Sequence, residues 1–393
     1  MDLVFFAHPS FLGQQSMPRF TTMLADGMVK RGHNVSIWSP QAKFFKLSVP
    51  ESLKKWLGYI DQYIVFPFEV RNRLSKTKPE TLFVFIDNAL GPWVPLVRTR
   101  YHAIHCHDFL AQKSALGQVP ENPTRWTGKQ YQSFIFRGYS QGKNFISVSG
   151  KTREDLHQLL GSQPPCSEVV YNGLNQKFNP QDQLTARTQF GKRIGVDLVP
   201  GYLLHVGGNP WYKNRSGVIE IYNAWRSSGG ERLPLLLVGD PPTTDLSDQS
   251  SRSLFKSDIH WLTGIEDSYV RMAYAGASVF LFPSLAEGFG WPIAEAMASG
   301  CPVITTNEAP MTEVAGDAGF LIPRRPIDKN ETAAWASDAA GVIGRILKLS
   351  HAALEEVKAS GISNAKRFDT EIALDRIEKI YQSILSGRKE NAN

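Results

Sequence analysis

A chain of 393 residues is too long for one ordinary hydrophobic core and comfortable for two. At 42% hydrophobic and 20% charged, with 32 Gly and 24 Pro scattered along it, the chain is neither disordered, collagen-like nor coiled coil, and no apolar run is long enough to span a membrane. The formal charge of +6 is lopsided: residues 1–170 hold 20 Lys/Arg against 12 Asp/Glu, and residues 171–393 hold 23 against 25, which reflects either a chance excess of surface lysines or an acidic or membrane-surface partner for the first half.

Met1 to Phe6 carries no basic region before its apolar residues and is soon followed by Pro9 and Gly13, so it reads as a first strand and not as a signal peptide. From Met17 to Lys30 the apolar Phe20, Met23, Leu24 and Met28 fall at helical spacing, with Pro18 in the first turn and Gly32 past the end. Asn34–Trp38 follows as a strand and completes a βαβ unit. Further strands are predicted at Leu82–Ile86, His102–His107, Asn144–Ser149 and Glu168–Tyr171. A second series comprises Tyr202–Val206, Leu235–Val238, Ile259–Leu262, Val279–Phe282, Val303–Thr305 and Phe320–Ile322. Near-continuous apolar strands separated by helices call for parallel sheets covered on both faces. The predicted fold class is α/β, with two Rossmann-like doubly wound domains facing across a cleft. Asn172-Gly173 is turn chemistry after an apolar run and marks the boundary. The expected division is 1–173, then 174–368, with a last helix in 369–393 carrying Ile372, Leu374, Ile377, Ile380, Tyr381 and Ile384.

Two stretches of the first half stand out. Residues 43–60 interleave Lys43, Lys46, Lys54 and Lys55 with Phe44, Phe45, Leu47, Trp56, Leu57 and Tyr59. They read either as a flap packed on the core or as a segment on an anionic membrane surface, and Pro50 is expected to interrupt any single helix. His105 and His107 are expected on opposite faces of their strand, leaving no two-histidine metal site. Cys106, Cys166 and Cys301 are too few and too isolated for a disulfide framework or a cysteine zinc site. With no signal peptide and no spanning segment, a cytoplasmic location is expected. No nucleic-acid-binding module is visible.

The segment Phe280–Asn307 carries the most chemistry. A strand ends in Pro283-Ser284, and a loop follows with Glu287, Gly288, Phe289 and Gly290. After Trp291, Pro292 opens a helix that Gly300 can close. Two glycines let backbone approach a ligand, and a helix start offers free N–H groups to an anion. Glu287 and Glu295, eight residues apart, supply two carboxylate acceptors for hydroxyl groups.

This arrangement resembles the donor-binding E-x7-E motif of GT-B retaining glycosyltransferases, in particular glycosyltransferase family 4. The family's order is kept by Gly13, by Arg31-Gly32-His33, by Ser147-Val148-Ser149 and by Tyr171-Asn172-Gly173. It continues through His205-Val206-Gly207-Gly208 with Lys213-Asn214, then Val238-Gly239 and Thr263-Gly264. The resemblance implies that Glu287 accepts hydrogen bonds from the donor sugar and Glu295 from the nucleotide ribose. It implies that backbone around Gly288, Phe289, Gly290 and Trp291 lies along the sugar and diphosphate, and that Lys213 neutralises the diphosphate. Gly264 and Ile265 would border the nucleobase, and Gly13 would let its loop approach the phosphates. His107 would face the donor sugar, with a satisfied structural histidine as the alternative. The family often has arginine where this chain has Gly208; Arg215 is a candidate substitute. The expected activity is transfer of a sugar, with retention of configuration, from a UDP- or GDP-linked donor to a carbohydrate or lipid-linked acceptor, without metal or other cofactor. The rival is a catalytically degenerate relative that binds nucleotide sugar or acts as a scaffold. A nicotinamide-dependent enzyme is disfavoured, because no G-x-G-x-x-G follows the first strand.

Overall fold

The computed structural model describes residues 1–13, 16–174 and 177–387. The chain divides into two compact units, one built from 1–175 with 370–393 and the other from 176–369. Unit 1 contains β1 (Asp2–Phe6), β2 (Asn34–Trp38), β3 (Leu82–Phe85), β4 (His102–Cys106), β5 (Asn144–Ser147) and β6 (Cys166–Val169), in the order β2-β1-β3-β4-β5-β6. Unit 2 contains β7 (Leu203–Val206), β8 (Leu235–Val238), β9 (Ile259–Leu262), β10 (Val279–Phe282), β11 (Val303–Thr306) and β12 (Phe320–Ile322), in the order β12-β11-β10-β7-β8-β9. Every pairing in both sheets is parallel. The central strands β3, β4, β8, β10 and β11 are buried along their whole length, as strands covered by helices on both faces must be. Each strand lies within two residues of its position read from the sequence.

These orders fix where ligands can bind. In a doubly wound sheet the crevice opens beyond the carboxyl ends of the strands, where consecutive connections run to opposite sides. In unit 1 that place lies between β1 and β3; in unit 2 it lies between β7 and β10.

As expected, no single helix runs through residues 43–60, and Pro50 caps the one that follows it. Helix Glu51–Ile60 begins directly after it and continues through a π turn, Asp61–Val65, into helix Phe66–Leu74. Proline is tolerated at a helix start because its missing N–H would have no intrahelical partner there. The π turn places the buried Asp61 carboxylate against three backbone N–H groups, those of Lys43, Phe44 and Phe45, at 2.9–3.0 Å. Together with the stacking of Phe45 on Phe11 at 4.6 Å, this pins residues 43–45 onto the unit.

The final helix, Thr370–Ser386, packs its buried Leu374, Ile377 and Tyr381 into unit 1. The Arg31 guanidinium reaches Glu371, Asp375 and Glu378 of this helix, and His33 Nε2 pairs with Glu378 at 2.7 Å. Deeper in, His105 Nε2 and the Tyr381 hydroxyl bond at 2.7 Å. Burial, with a further push from His107, drives the His105 pKa down to about 3, so the ring is neutral in the fold. In the unfolded chain it titrates near 6.5. The unfolded state therefore binds the extra proton first, and the stability of unit 1 falls as pH drops from 6.5 towards 3, at a slope of up to about 1.4 kcal/mol per pH unit. Urea unfolding at pH 7 and pH 5.5 should show the loss in the wild-type chain and a shallower dependence in His105→Gln. Tyr381→Phe, which strands a buried imidazole nitrogen, should cost about 1–3 kcal/mol at pH 7. An unchanged unfolding midpoint would remove that bond from the account.

Candidate functional site

At the switch point of unit 2, two segments meet. The turn Trp211–Lys213 follows β7 and is capped by Asn214, which holds a left-handed backbone at φ 50°. The Asn214 side chain accepts from Gly217 N–H and donates to Pro283 O, tying this turn to the end of β10. Lys213 is thereby aimed at the loop after β10, where its ammonium donates to both oxygens of Glu287 at 2.8 and 3.0 Å. The pair is largely enclosed, and the ammonium also lies 5.0 Å above the Phe282 ring. A cation and a hydroxyl acceptor are thus held together at the crevice.

The loop then turns into helix Trp291–Ala298. Gly290 adopts φ 105°, a conformation that a side chain would strain. Pro292 occupies the first turn and no acidic residue competes there, so the backbone donors of this helix start remain suited to an anion. Phe289 is buried against Trp291 and Phe368, which anchors the turn. Glu295 sits within the helix, and its Oε2 accepts from the Tyr274 hydroxyl at 2.8 Å. Burial and that carboxylate keep the tyrosine protonated.

Gly208 has a local reason. The Asn209 N–H donates to Asp240 Oδ2 at 3.0 Å, and a side chain at 208 would run into that carboxylate. Arg215 is 3% exposed. Its Nη1 donates to Asn209 Oδ1 at 2.6 Å and to Asp240 O at 2.8 Å, and its plane lies 4.5 Å from the Trp261 ring centre. Burial pushes its pKa down to about 10. The guanidinium therefore holds the loop after β8 to the loop after β7. Its Nε and Nη2 have no partner among the described residues. His205 is fully buried beneath this loop. Its ring bonds to Leu281 O, and burial drives its pKa down to about 3. Gly264, at φ 64°, and Ile265 occupy the exposed turn after β9. Asp240, Asn209 and Tyr274 were not singled out from the sequence; Val238-Gly239-Asp240 at a strand end was the available signal for the first.

In unit 1, Gly13 closes a short turn at φ 65°. His107 lies one residue beyond β4. Its backbone N–H donates to Asn88 Oδ1 and its Nε2 bonds to Ile86 O at 2.9 Å. Burial lowers its pKa, with Asp87 opposing that shift. The expectation that His105 and His107 lie on opposite faces is overturned: both rings pack edge-on against Phe20, at 5.3 and 4.5 Å. Residues two apart along a strand share a face. Among the described residues no group of three or more His, Cys, Asp or Glu side chains could hold a metal ion, and no helix is long and apolar enough to cross a membrane.

The chain's likeness to known proteins is one of family and fold. The model described as "Glycosyltransferase Family 4" matches residues 17–178, and that described as "Glycosyl transferases group 1" matches residues 200–340. The "MMP alpha-(1->4)-mannosyltransferase" of Mycolicibacterium hassiacum is 34% identical over 312 residues, covering 77% of this chain and 70% of the relative. The chain belongs to glycosyltransferase family 4. The "O-antigen chain mannosyltransferase B" of Escherichia coli is 31% identical over 224 residues, a match that spans 53% of this chain and about half, 54%, of that protein. Among solved structures, Anabaena HepE in complex with UDP superposes with a TM-score of 0.69 at 16% identity, covering 98% of this chain and 100% of that one. The fold of this family 4 chain is accordingly GT-B, an α/β architecture of two Rossmann-like units.

The Lys213–Glu287 pair is testable as a unit. Lys213→Ala leaves an enclosed carboxylate without its cation and should destabilise unit 2 by about 3 kcal/mol. The double substitution Lys213→Ala/Glu287→Gln should recover more than half of that in thermal unfolding. Additive losses would mean that the two side chains are not coupled.

Proposed function

We propose that the chain transfers a sugar from a nucleoside-diphosphate sugar to a carbohydrate or lipid-linked acceptor, with retention of configuration. The observation that carries this is the Lys213–Glu287 pair beside the Gly290 helix start, at the switch point of unit 2. Breaking the sugar–phosphate bond leaves negative charge on the diphosphate. A positioned ammonium and the backbone N–H groups of Phe289, Gly290 and Trp291 stabilise that charge as it develops. In this reading Glu287 exchanges Lys213 for donor-sugar hydroxyls as the diphosphate arrives, and Glu295, oriented by Tyr274, takes the ribose. Gly264 and Ile265 border the base, and Gly288 allows close backbone approach. Arg215 acts by holding the loop that carries Gly208. The attacking oxygen bonds to the anomeric carbon as the carbon–phosphate oxygen bond breaks, and the departing diphosphate takes the proton. The glutamates bind and do not act as a glycosidase acid–base pair.

Two of the named relatives are mannosyltransferases, which supports a mannosyl donor as the first to test. UDP or GDP should raise the melting temperature, and Glu295→Ala should abolish that rise. NMR of the product should show the anomer of the donor, and EDTA should leave the rate unchanged, since Lys213 supplies the cation. Lack of stabilisation by either nucleotide, together with no hydrolysis of any nucleotide sugar, would favour the degenerate reading instead.

The exposed face of the helical run 51–74 supports contact with an anionic membrane surface. Leu53, Trp56, Ile64 and Phe68 are exposed along it, Trp56 and Phe68 each to 61%. Lys55 packs over Tyr59 and Arg71 over Phe68 along the same stretch. Apolar side chains flanked by basic ones suit the headgroup boundary. Phosphatidylglycerol-containing vesicles should sediment the protein, phosphatidylcholine vesicles should not, and Trp56→Glu/Phe68→Glu should weaken binding at least tenfold. Equal binding by that variant would exclude this face.

A further inference from the structure

The donor reading uses the switch point of unit 2 and leaves that of unit 1 without a chemical group of its own. There His8, two residues beyond β1, meets Asp87, two residues beyond β3, with Nε2 and Oδ2 2.8 Å apart. Their side chains are 10% and 15% exposed. Both backbones are held: the Ser39 hydroxyl donates to His8 O, and Asp87 caps the following turn by accepting from Ala89 N–H. The pair with His8 keeps Asp87 ionised despite its burial, its pKa lowered and His107 adding to the effect. A carboxylate can only accept, so the hydrogen of the pair lies on Nε2. In its neutral form the ring carries a lone pair on Nδ1, and that atom has no hydrogen-bond partner among the described residues. An imidazole whose tautomer is set by a carboxylate and whose second nitrogen is unspent is equipped to receive a hydroxyl hydrogen.

Aromatic surface accompanies it. Tyr59 stacks on Tyr131 at 5.5 Å, Trp56 meets Tyr59 edge-on at 5.9 Å, and the Tyr63 and Tyr131 hydroxyls bond at 2.7 Å. Burial holds Tyr131 protonated, and the Asp87 carboxylate is close enough to contribute to that shift. Half-buried rings beside a few convergent polar atoms are the usual lining of a site for a small hydroxylated ligand.

We propose that His8 is an acceptor-binding residue: its Nδ1 accepts a hydrogen bond from an acceptor hydroxyl other than the one that attacks, with Asp87 as the positioning residue and the Tyr59–Tyr131 stack as a platform for a sugar face. This rests on the glycosyl-transfer reading and assigns its acceptor side. The attacking hydroxyl keeps its own hydrogen for the departing diphosphate, so the bond changes above stay balanced.

Two measurements test it. Long-range nitrogen–proton NMR of the histidine rings should find His8 as the Nε2–H tautomer with Nδ1 unprotonated, and Asp87→Asn should remove that preference. An Nδ1–H tautomer in the wild type would overturn the assignment whatever the acceptor. With GDP-mannose as donor and octyl α-D-mannopyranoside as acceptor probe, His8→Ala should lower kcat/KM for the probe about 10- to 100-fold. Part of that loss should appear as a raised acceptor KM, while stabilisation by GDP stays as in the wild type. His8→Asn, which can return an oxygen near the Nδ1 position, should recover part of the loss. Unaltered acceptor KM in a His8→Ala protein of lowered melting temperature would make the pair a structural tie only. A wild-type protein that neither gains stability from GDP nor transfers mannose would count against the transferase reading, and the tautomer measurement would then decide the His8 pair alone.

Discussion

The direction of the strands governs everything else in this molecule. Because every strand pairing is parallel, all strand-to-helix loops of a sheet emerge along one edge. A reversal in strand order then parts two of those loops and leaves room between them. Lys213 and Glu287 come from the two loops that are parted in unit 2, and His8 and Asp87 from the two parted in unit 1. The same topological fact thus produces both polar pairs, although their chemistry differs. One sets an ammonium against a carboxylate; the other sets an imidazole against one.

Around these pairs the buried polar groups are tied to backbone. Asp61 gathers three amides, Asn214 bridges two loops, and Arg215 fastens the loop after β8 to that after β7. Such ties cost desolvation and return geometry. Loops without regular structure would otherwise wander, and a donor site needs its charges fixed before the substrate arrives. Arg215 is the instructive case. A guanidinium with two unpaired nitrogens and an aromatic partner is an expensive way to hold a loop, and it fastens the loop that carries Gly208.

Much of this was legible in the sequence, for a physical reason. Strands buried on both faces must be apolar throughout, so Leu82–Phe85 and Val279–Phe282 announce themselves. The segment around Glu287 and Glu295 was legible because its chemistry is local: loop, glycine, proline and helix follow within a dozen residues. What failed were features that depend on distance or on a break in period. The helical run beyond Pro50 was not followed past residue 60, because the π turn at Asp61 shifts the repeat. His8 and Asp87 lie 79 positions apart and carry no local mark. The face shared by His105 and His107 followed from strand geometry alone, and the sequence reading applied that geometry wrongly.

The closing helix has a consequence for synthesis. Unit 2 is encoded inside unit 1, since residues 370–386 belong with the first 175. On the ribosome, the N-terminal sheet emerges early with His105 lacking its partner, because Tyr381 is made 276 residues later. The sites on Arg31 and His33 for Glu371, Asp375 and Glu378 stay vacant for the same interval. Unit 2, continuous in sequence, can complete its core first, while unit 1 waits as an open half-structure with apolar surface uncovered. The order of completion is thus the reverse of the order of synthesis.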